Sequence, residues 1–441
     1  MLGWEYPPHI SGGLGTACEG LSSALTRQDA EVLFVVPHLV GDENAPHMAL
    51  VDSDGHNAGT VEGEFYRAEG GGKWSRKPRK AGTAGRTIRV PAALKPYWGP
   101  ADFEAYKQKL LDNAQRAAQG LIQTMSEIGH ESKSFAHYGR DIFEEVERFA
   151  MNVVSLFSNE EFDVIHAHDW MTFPAAVALA QVTGRPLVLH VHSLEFDRSG
   201  AAVNAQISSI ERWGLHAADA VIAVSYYTRS LIKQQYEVPE EKIHVVHNGV
   251  YPRAMVRSYK QSSGLNRRMV LFLGRITFQK GPDYFVEAAA KVVPSVPDVL
   301  FVMAGSGDML DRMKFRVGEL GLHRHFHFPG FLRGPEVEQM YSLADLYVMP
   351  SVSEPFGISA LEALSYETPV ILSRQSGVAE VLRHVLKVDF WDVDRMADLM
   401  INALMHDELR QDMISMAREE VKRLRWDASA MRAIDVYKGL I

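Results

Sequence analysis

Pro350-Ser351-Val352-Ser353-Glu354-Pro355-Phe356-Gly357-Ile358-Ser359-Ala360-Leu361-Glu362-Ala363-Leu364 is the stretch on which the reading of the chain turns. The apolar run 346–349 ahead of it reads as a buried strand, and 358–364 reads as a helix, with Pro355 and Gly357 as punctuation between them. The unit is therefore a strand, a turn and a helix start. Phe356 and Gly357 open the helix, and free backbone N–H groups and the positive end of the helix dipole point into the turn, where a phosphate can sit. Eight helical residues rise by roughly 12 Å and rotate by about 80°, so Glu354 and Glu362 can grip opposite ends of an elongated, phosphate-centred ligand. A nucleotide-diphosphate sugar has that shape. On this segment alone a second reading stays open, in which Glu354 caps the helix and Glu362 lies on its solvated face.

The whole chain has 441 residues, too many for one core, so two or three domains are expected. Its 46% hydrophobic and 23% charged residues are those of an ordinary globular protein, and a net charge of -9 argues against a dedicated nucleic-acid binder. One cysteine, Cys18, excludes an internal disulfide and a cysteine-based metal framework, and the default compartment is a reducing cytoplasm. The opening lacks the pattern of a signal peptide, and no stretch approaches the roughly 20 apolar residues of a membrane span.

Residues 1–6 form a strand that is short for the first strand of a nucleotide-binding half, and residues missing ahead of it are expected. His9-Ile10-Ser11-Gly12-Gly13-Leu14-Gly15-Thr16-Ala17 then makes a Gly-rich strand-to-helix turn, where backbone can approach a ligand closely. Its glycine spacing is not the dinucleotide fingerprint. A strand at 32–37 is followed by a polar insertion at about 41–100, whose basic segment Gly70 to Lys80 reads as a mobile solvated loop or as a contact to an anionic or sugar acceptor. Residues 103–125 and 142–157 have helical spacing, and strand candidates at 164–168, 187–191, 220–224 and 243–246 alternate with helices. After a polar linker a second series runs through 269–275, 299–305, 325–328, 346–349 and 369–372, and a helical segment from about 395 to 441 closes the chain. Continuous apolar strands separated by helices mean parallel sheets covered on both faces. The division is an N-terminal domain at 1–252, a C-terminal domain at 267–420, and a last helix at 421–441 that crosses back to the first domain. Ligands in such sheets bind at the carboxyl ends of strands.

Gly274-Arg275-Ile276-Thr277-Phe278-Gln279-Lys280-Gly281 is another such end, and Arg275 and Lys280 are suited to neutralising a departing diphosphate without a metal; the alternative is a capping turn with solvated charges. Gly305, in Gly305-Ser306-Gly307-Asp308, either passes a nucleotide base or makes a tight turn. His166, His168, His190 and His192 pair at i and i+2 on strands, but no carboxylate stands at zinc-site spacing. One imidazole from each strand end is expected to face the cleft and its twin to be a core residue. Asp52-Ser53-Asp54 and Asp392-Val393-Asp394 match a metal-holding aspartate pair and are read as chance matches.

Together, Glu354 and Glu362, the Arg275 to Lys280 turn, Ser11-Gly12-Gly13-Leu14-Gly15, His166-Ala167-His168-Asp169-Trp170 and His247-Asn248-Gly249-Val250 resemble the retaining glycosyltransferases of family 4, in their glycogen and starch synthase-like part. The resemblance implies the GT-B fold, an α/β architecture of two doubly wound Rossmann-like domains facing a central cleft. It implies that Glu354 contacts the donor sugar, Glu362 holds the ribose, and Arg275 and Lys280 hold the diphosphate. It also puts His192 near the sugar, and Gly12, Gly13, Asn248, Gly305, Phe356, Gly357 and Ile358 about the donor. Asp169 and Trp170 would lie toward the acceptor. Two features depart from it: Ile10 stands where bacterial starch synthases carry lysine, and Leu386-Lys387-Val388-Asp389-Phe390-Trp391 replaces a Gly-rich turn.

The expected activity is transfer of a hexosyl group, glucose, from ADP-glucose or UDP-glucose to an α-glucan, retaining the anomeric configuration and needing no cofactor or metal. A lipid-linked or small-molecule acceptor is the alternative. A nucleotide-sugar epimerase, a glycan phosphorylase or a non-catalytic carbohydrate-binding scaffold are rivals for the same cleft. The sequence names no nucleic-acid partner and leaves the oligomeric state open.

Overall fold

The structure, a computed structural model, describes residues 1–9, 12–55, 64–67, 74–77, 100–119, 142–251 and 267–441. The first half contains helix α1 (Gly13–Thr26), strands β1 (Leu33–Val36) and β2 (Ala49–Asp52), and a hairpin of β3 (Glu64–Arg67) with β4 (Trp74–Lys77). It continues through α2 (Pro100–Ala118), α3 (Ile142–Phe157), β5 (Ile165–His168), α4 (Phe173–Thr183), β6 (Leu187–Val191) and the short α5 (Glu195–Ser199). Helix α6 (Ala205–Ala217), β7 (Ala220–Ala223), α7 (Tyr226–Tyr236) and β8 (Ile243–Val245) complete it.

Strands β5, β6, β7 and β8 pair in that order, all parallel, as do β1 and β2. Leu2 joins the two groups by bridging Val35 on one side and Ala167 on the other. The opening residues thus contribute one bridge on each side rather than a full strand. Strands β5, β6 and β7 are buried at every position, which is why they read as unbroken apolar or imidazole runs rather than alternating ones.

The second half is built from β9 (Arg268–Leu273), α8 (Pro282–Val292), β10 (Val299–Ala304), α9 (Leu310–Glu319), β11 (Phe326–Gly330), α10 (Pro335–Leu343) and β12 (Leu346–Met349). It ends with α11 (Ile358–Ser365), β13 (Val370–Ser373), β14 (Leu386–Val388), α12 (Val393–Met405), α13 (Asp407–Val421) and α14 (Trp426–Lys438). Its sheet is fully parallel in the order β11-β10-β9-β12-β13-β14. The α/β GT-B architecture expected from the sequence is present.

Several expectations are corrected. The polar insertion begins later than residue 41, because β2 lies inside 41–100 and pairs with β1. Trp74–Lys77, within the stretch read as a loop, is a strand paired with β3. Leu386–Val388, which the sequence left unassigned, is the edge strand β14. The closing segment consists of the three helices α12, α13 and α14. Its last member, α14, packs on α1: the Trp426 ring fills the space where a Cβ on Gly20 would come within 2.2 Å of it. Arg27 Nε donates to Asp427 Oδ1 at 2.9 Å across the same seam.

Neither aspartate pair is arranged as a metal site. Asp392 caps α12 by accepting the Arg395 N–H at 3.0 Å, and Asp54 Oδ1 accepts Asn152 Nδ2 at 3.0 Å. Residues 10 and 11, residues 70–73 and 78–80 of the basic stretch and the linker after Tyr251 lie outside the described residues.

Candidate active site

The carboxyl ends of both sheets meet across one cleft. On the C-terminal side, β9 runs out at Gly274, and Phe278–Lys280 forms a single 3-10 turn that places Lys280 at its end. Gly281 follows at φ 64°, where a Cβ would stand 2.2 Å from the Pro350 carbonyl, so the turn after β9 and the turn after β12 can touch only through glycine. That approach delivers Lys280 Nζ to Glu354 Oε2 at 2.5 Å. Ser351 Oγ donates to the same oxygen at 3.0 Å, and Glu354 is buried. The turn is held from both sides: the Glu354 N–H donates to Gln375 O at 2.9 Å, and Gly377 N–H donates to Glu354 O at 2.9 Å.

Arg275 is half-buried and donates from Nη2 to Gln279 Oε1 at 3.3 Å. Across the cleft it meets the Gly-rich turn of the first half: a Cβ on Gly12 would lie 4.0 Å from Arg275 Nε. A Cβ on Gly13 would meet nothing within 4 Å among the described residues. Gly12 gives helix α1 no side-chain cap, but the buried Glu5 carboxylate accepts the Gly15 N–H at 3.1 Å, so the helix start beside the Arg275 guanidinium already holds one carboxylate. Helix α11 likewise starts without a side-chain cap, after Gly357 at φ 107°. Glu362 lies inside α11, partly exposed, and accepts the Tyr341 hydroxyl at 3.2 Å.

The N-terminal wall is made of imidazoles. His166 and His168 on β5 and His190 and His192 from β6 share one sheet face, and their nitrogens meet in two pairs: His166 Nε2 with His190 Nδ1 at 3.2 Å, and His168 Nδ1 with His192 Nε2 at 2.9 Å. The ring centroids of these pairs are 5.3 and 5.2 Å apart at interplanar angles of 19° and 34°, and one nitrogen each of His166, His168 and His190 lies within 4.8 Å of the others, a grouping that could hold a metal ion. His166 Nδ1 also meets the Tyr437 hydroxyl of α14 at 2.5 Å. His168 is fully buried, so of the four only His192 is partly exposed; β5 sends no histidine into the cleft. Burial pulls His192 down to about 3 and holds the other three well below the usual imidazole range. All four are neutral near pH 7.

Asp169 sits at φ 60° and accepts the backbone N–H groups of His192 at 2.7 Å and Ser193 at 3.3 Å through Oδ1. It fixes the loop that carries His192. Desolvation raises its carboxyl to about 7, against the opposing pull of Arg198 and these N–H donors. Trp170, expected toward the acceptor, is instead 1% exposed and packed on Phe143 in the first core. The fused ring is too large to leave that core once β5 is buried on both faces.

The other expected donor residues divide. Gly305 is a tight turn, where a Cβ would stand 1.8 Å from the Gly274 carbonyl. The ring of Phe356 is buried against His247 at 5.9 Å, so only its backbone lines the turn, and Ile358 is half-buried at the start of α11. Asn248 is buried, and its Oδ1 has no hydrogen-bond partner among the described residues.

Four side chains at this junction had no signal in the sequence. Ser353 Oγ donates to Asp197 Oδ1 at 2.5 Å and meets the Tyr227 hydroxyl at 2.9 Å, and the Ser225 hydroxyl donates to Pro355 O at 2.6 Å. These bonds dock the first half on the residues either side of Glu354. They join parts of the chain separated by more than a hundred residues, and no local pattern marks them.

Two Rossmann-like halves with cations, a carboxylate and helix starts at facing strand ends are the frame of a sugar-transferring enzyme of the GT-B type. The pattern of the glycosyl transferases group 1 matches residues 257–420, and that of glycosyltransferase family 4 matches residues 106–253. The chain is 33% identical to the α-maltose-1-phosphate synthase of Mycolicibacterium smegmatis over 63% of this chain and 79% of that one. It is 29% identical to the glycogen synthase of Mycobacterium tuberculosis, covering 87% and 79%. Among solved structures, the sucrose-phosphate synthase of Thermosynechococcus elongatus superposes with a TM-score of 0.71 at 19% identity, over 100% of this chain and 98% of that one. The chain belongs to glycosyltransferase family 4, in its glycogen synthase-like part, and is a hexosyltransferase.

Proposed function

We propose that the protein transfers glucose from a nucleoside-diphosphate glucose, with ADP or UDP as the nucleotide, to the end of an α-glucan with retention of anomeric configuration, in the cytoplasm. The observation that carries this reading is the pairing of Lys280 with Glu354 at 2.5 Å, beside an Arg275 that faces the start of α1. Lys280, Arg275 and the two helix starts concentrate positive potential where a diphosphate leaves, so negative charge developing on it is stabilised by groups already in place. This arrangement needs no metal. Glu354 is the carboxylate within reach of the sugar once Lys280 turns to phosphate, and it orients the ring. His192, neutral and held by His168 and Asp169, offers a hydrogen bond to a sugar hydroxyl. Glu362 holds the ribose.

A second acceptor, a small phosphorylated sugar, is favoured by the likeness to an α-maltose-1-phosphate synthase, which exceeds in identity the likeness to a glycogen synthase. One screen decides between them: ADP-, UDP- and GDP-sugars are offered with glycogen, maltooligosaccharides, glucose 1-phosphate and simple sugars, and released nucleoside diphosphate is read. Release that depends on a glucan supports the first acceptor, and release that depends on the sugar phosphate supports the second. Release of diphosphate with no acceptor dependence, or no turnover of any donor, overturns the transfer reading.

A further inference from the structure

Beyond the donor cleft, a cavity of about 470 Å³ lies between the halves, lined by Tyr226, Tyr227 and Ser230 of α7 on one wall and by Arg374, Glu380 and Lys387 on the other. We propose that it binds a small phosphorylated sugar, with the phosphate on Arg374 and Lys387 and the ring against Tyr226. The volume is within the range of small-ligand sites.

The two cations are poorly compensated. Arg374 meets the Asp389 carboxylate at 3.8 Å, the outer limit of an ion pair, and Asp389 also accepts Gln375 Nε2 at 2.9 Å. Lys387 Nζ donates to Ala379 O at 2.8 Å, which uses one of its three donors. Desolvation, and then repulsion from Arg374 and Arg383, pulls Lys387 below its ordinary value, against the pull of Glu420. A phosphate between Arg374 and Lys387 relieves that repulsion and gains charge-assisted hydrogen bonds. The carboxylate in the wall does not compete for them: Glu380 accepts the backbone N–H groups of Tyr226 at 2.9 Å and Tyr227 at 2.6 Å, and meets His247 Nε2 at 3.2 Å. Tyr226 is 55% exposed, with its ring set edgewise to His247 at 5.9 Å and the Arg229 guanidinium 6.0 Å from its centroid, and what remains open is a platform for a sugar ring.

The cavity is separate from the donor cleft but mechanically joined to it. Ser376, on its wall, bridges Glu354 directly, and Gln375 O holds the Glu354 N–H. A ligand that touches both walls favours the docked arrangement of the halves and steadies the turn carrying Glu354, so it tightens donor binding by linkage.

The test is calorimetric titration of the full chain with glucose 6-phosphate, glucose 1-phosphate, inorganic phosphate and glucose. The sugar phosphates are expected to bind with Kd between about 10 μM and about 1 mM, and glucose not to bind. Arg374→Ala/Lys387→Ala is expected to weaken them at least ~10-fold while Lys280→Ala does not, and the sugar phosphate lowers the donor KM about 5-fold. Recovery of the sugar phosphate unchanged identifies it as an effector, and recovery in glycosylated form seats it as an acceptor in the donor cleft and overturns the proposal. Undiminished binding in the double variant, or binding lost in Lys280→Ala instead, assigns the phosphate to the donor cleft and overturns the proposal, as does the absence of binding by every phosphorylated probe. Calorimetry reads binding whether or not a donor turns over, so failure of the transfer reading leaves this test intact.

Discussion

The two walls of the cleft are built from opposite materials. The C-terminal wall carries formal charge, with Lys280 on Glu354 and Arg275 alongside, on turns pinned by backbone hydrogen bonds. The N-terminal wall carries neutral imidazoles, and its carboxylates Asp169 and Glu5 accept backbone N–H groups, those of His192 and Ser193 for Asp169 and that of Gly15 at the start of α1 for Glu5. The contrast teaches a division of chemistry. On the proposed reading, fixed charge stands where a diphosphate would depart, and neutral hydrogen-bonding groups stand where sugar hydroxyls would be recognised without trapping the leaving group.

The largest expected effect breaks the charged wall. Lys280→Ala or Glu354→Ala should lower kcat by roughly 10³-fold or more with an unchanged far-UV circular dichroism spectrum; near-normal turnover in either would sink the assignment of charge to that wall. On the neutral wall, His192→Ala should lower kcat/KM by roughly 10²-fold, and Asp169→Ala should approach the same loss by freeing the loop, while Asp169→Asn, which keeps an acceptor for both N–H groups, retains most activity. An Asp169→Ala enzyme as active as the parent would mean that the loop holds His192 unaided.

The glycines sharpen the comparison. Gly305→Ala places a Cβ 1.8 Å from the Gly274 carbonyl and should cost about 3 kcal/mol or more of stability in denaturant unfolding. Gly13→Ala meets nothing within 4 Å among the described residues and should leave stability within about 0.5 kcal/mol, yet raise the donor KM several-fold if phosphate lies at the start of α1. An unchanged KM would move the phosphate wholly onto the charged wall.

The smallest effect is on pH. Below about pH 6.5 an unfolded chain protonates four imidazoles that the folded N-terminal wall keeps neutral, so stability present above that pH is lost as pH falls through it. Asp169, raised to about 7, works in the opposite direction and costs stability as pH rises from about 4 to 7. The lowered bases, these four with His47, His244 and the Met1 amine, outnumber the raised acids Asp169, Asp197, Glu211 and Glu147, which leaves a net fall in the unfolding midpoint from about pH 7.5 to about pH 5.5, read by calorimetric scans. A flat profile would show that the imidazoles are solvated.

Most of the frame was legible because fully buried parallel strands leave unbroken apolar runs, as at Val270, Phe301 and Val348. β2 and β14 escaped notice because they are short and carry Asp52 and Lys387. The charged wall was legible as well, since its groups stand within a few residues of strand ends. The neutral wall was only half so: the i and i+2 histidines announce a shared face, but which imidazole emerges depends on what covers the sheet, here α14 through Tyr437. Trp170 was misplaced for the same reason, and Asp197, Tyr227 and Ser353 meet only after both halves have folded.

The seam between α1 and α14 bears on synthesis of the chain. Gly20 leaves a hollow that the Trp426 ring alone fills, and Tyr437 is the outer partner of His166, so the first half lacks part of its interior until the last helix has left the ribosome. The nascent N-terminal half therefore presents an apolar scar for nearly the whole of translation. A chaperone, or rapid completion of the chain, must cover it, and a truncated product ending before Trp426 should be found in the insoluble fraction.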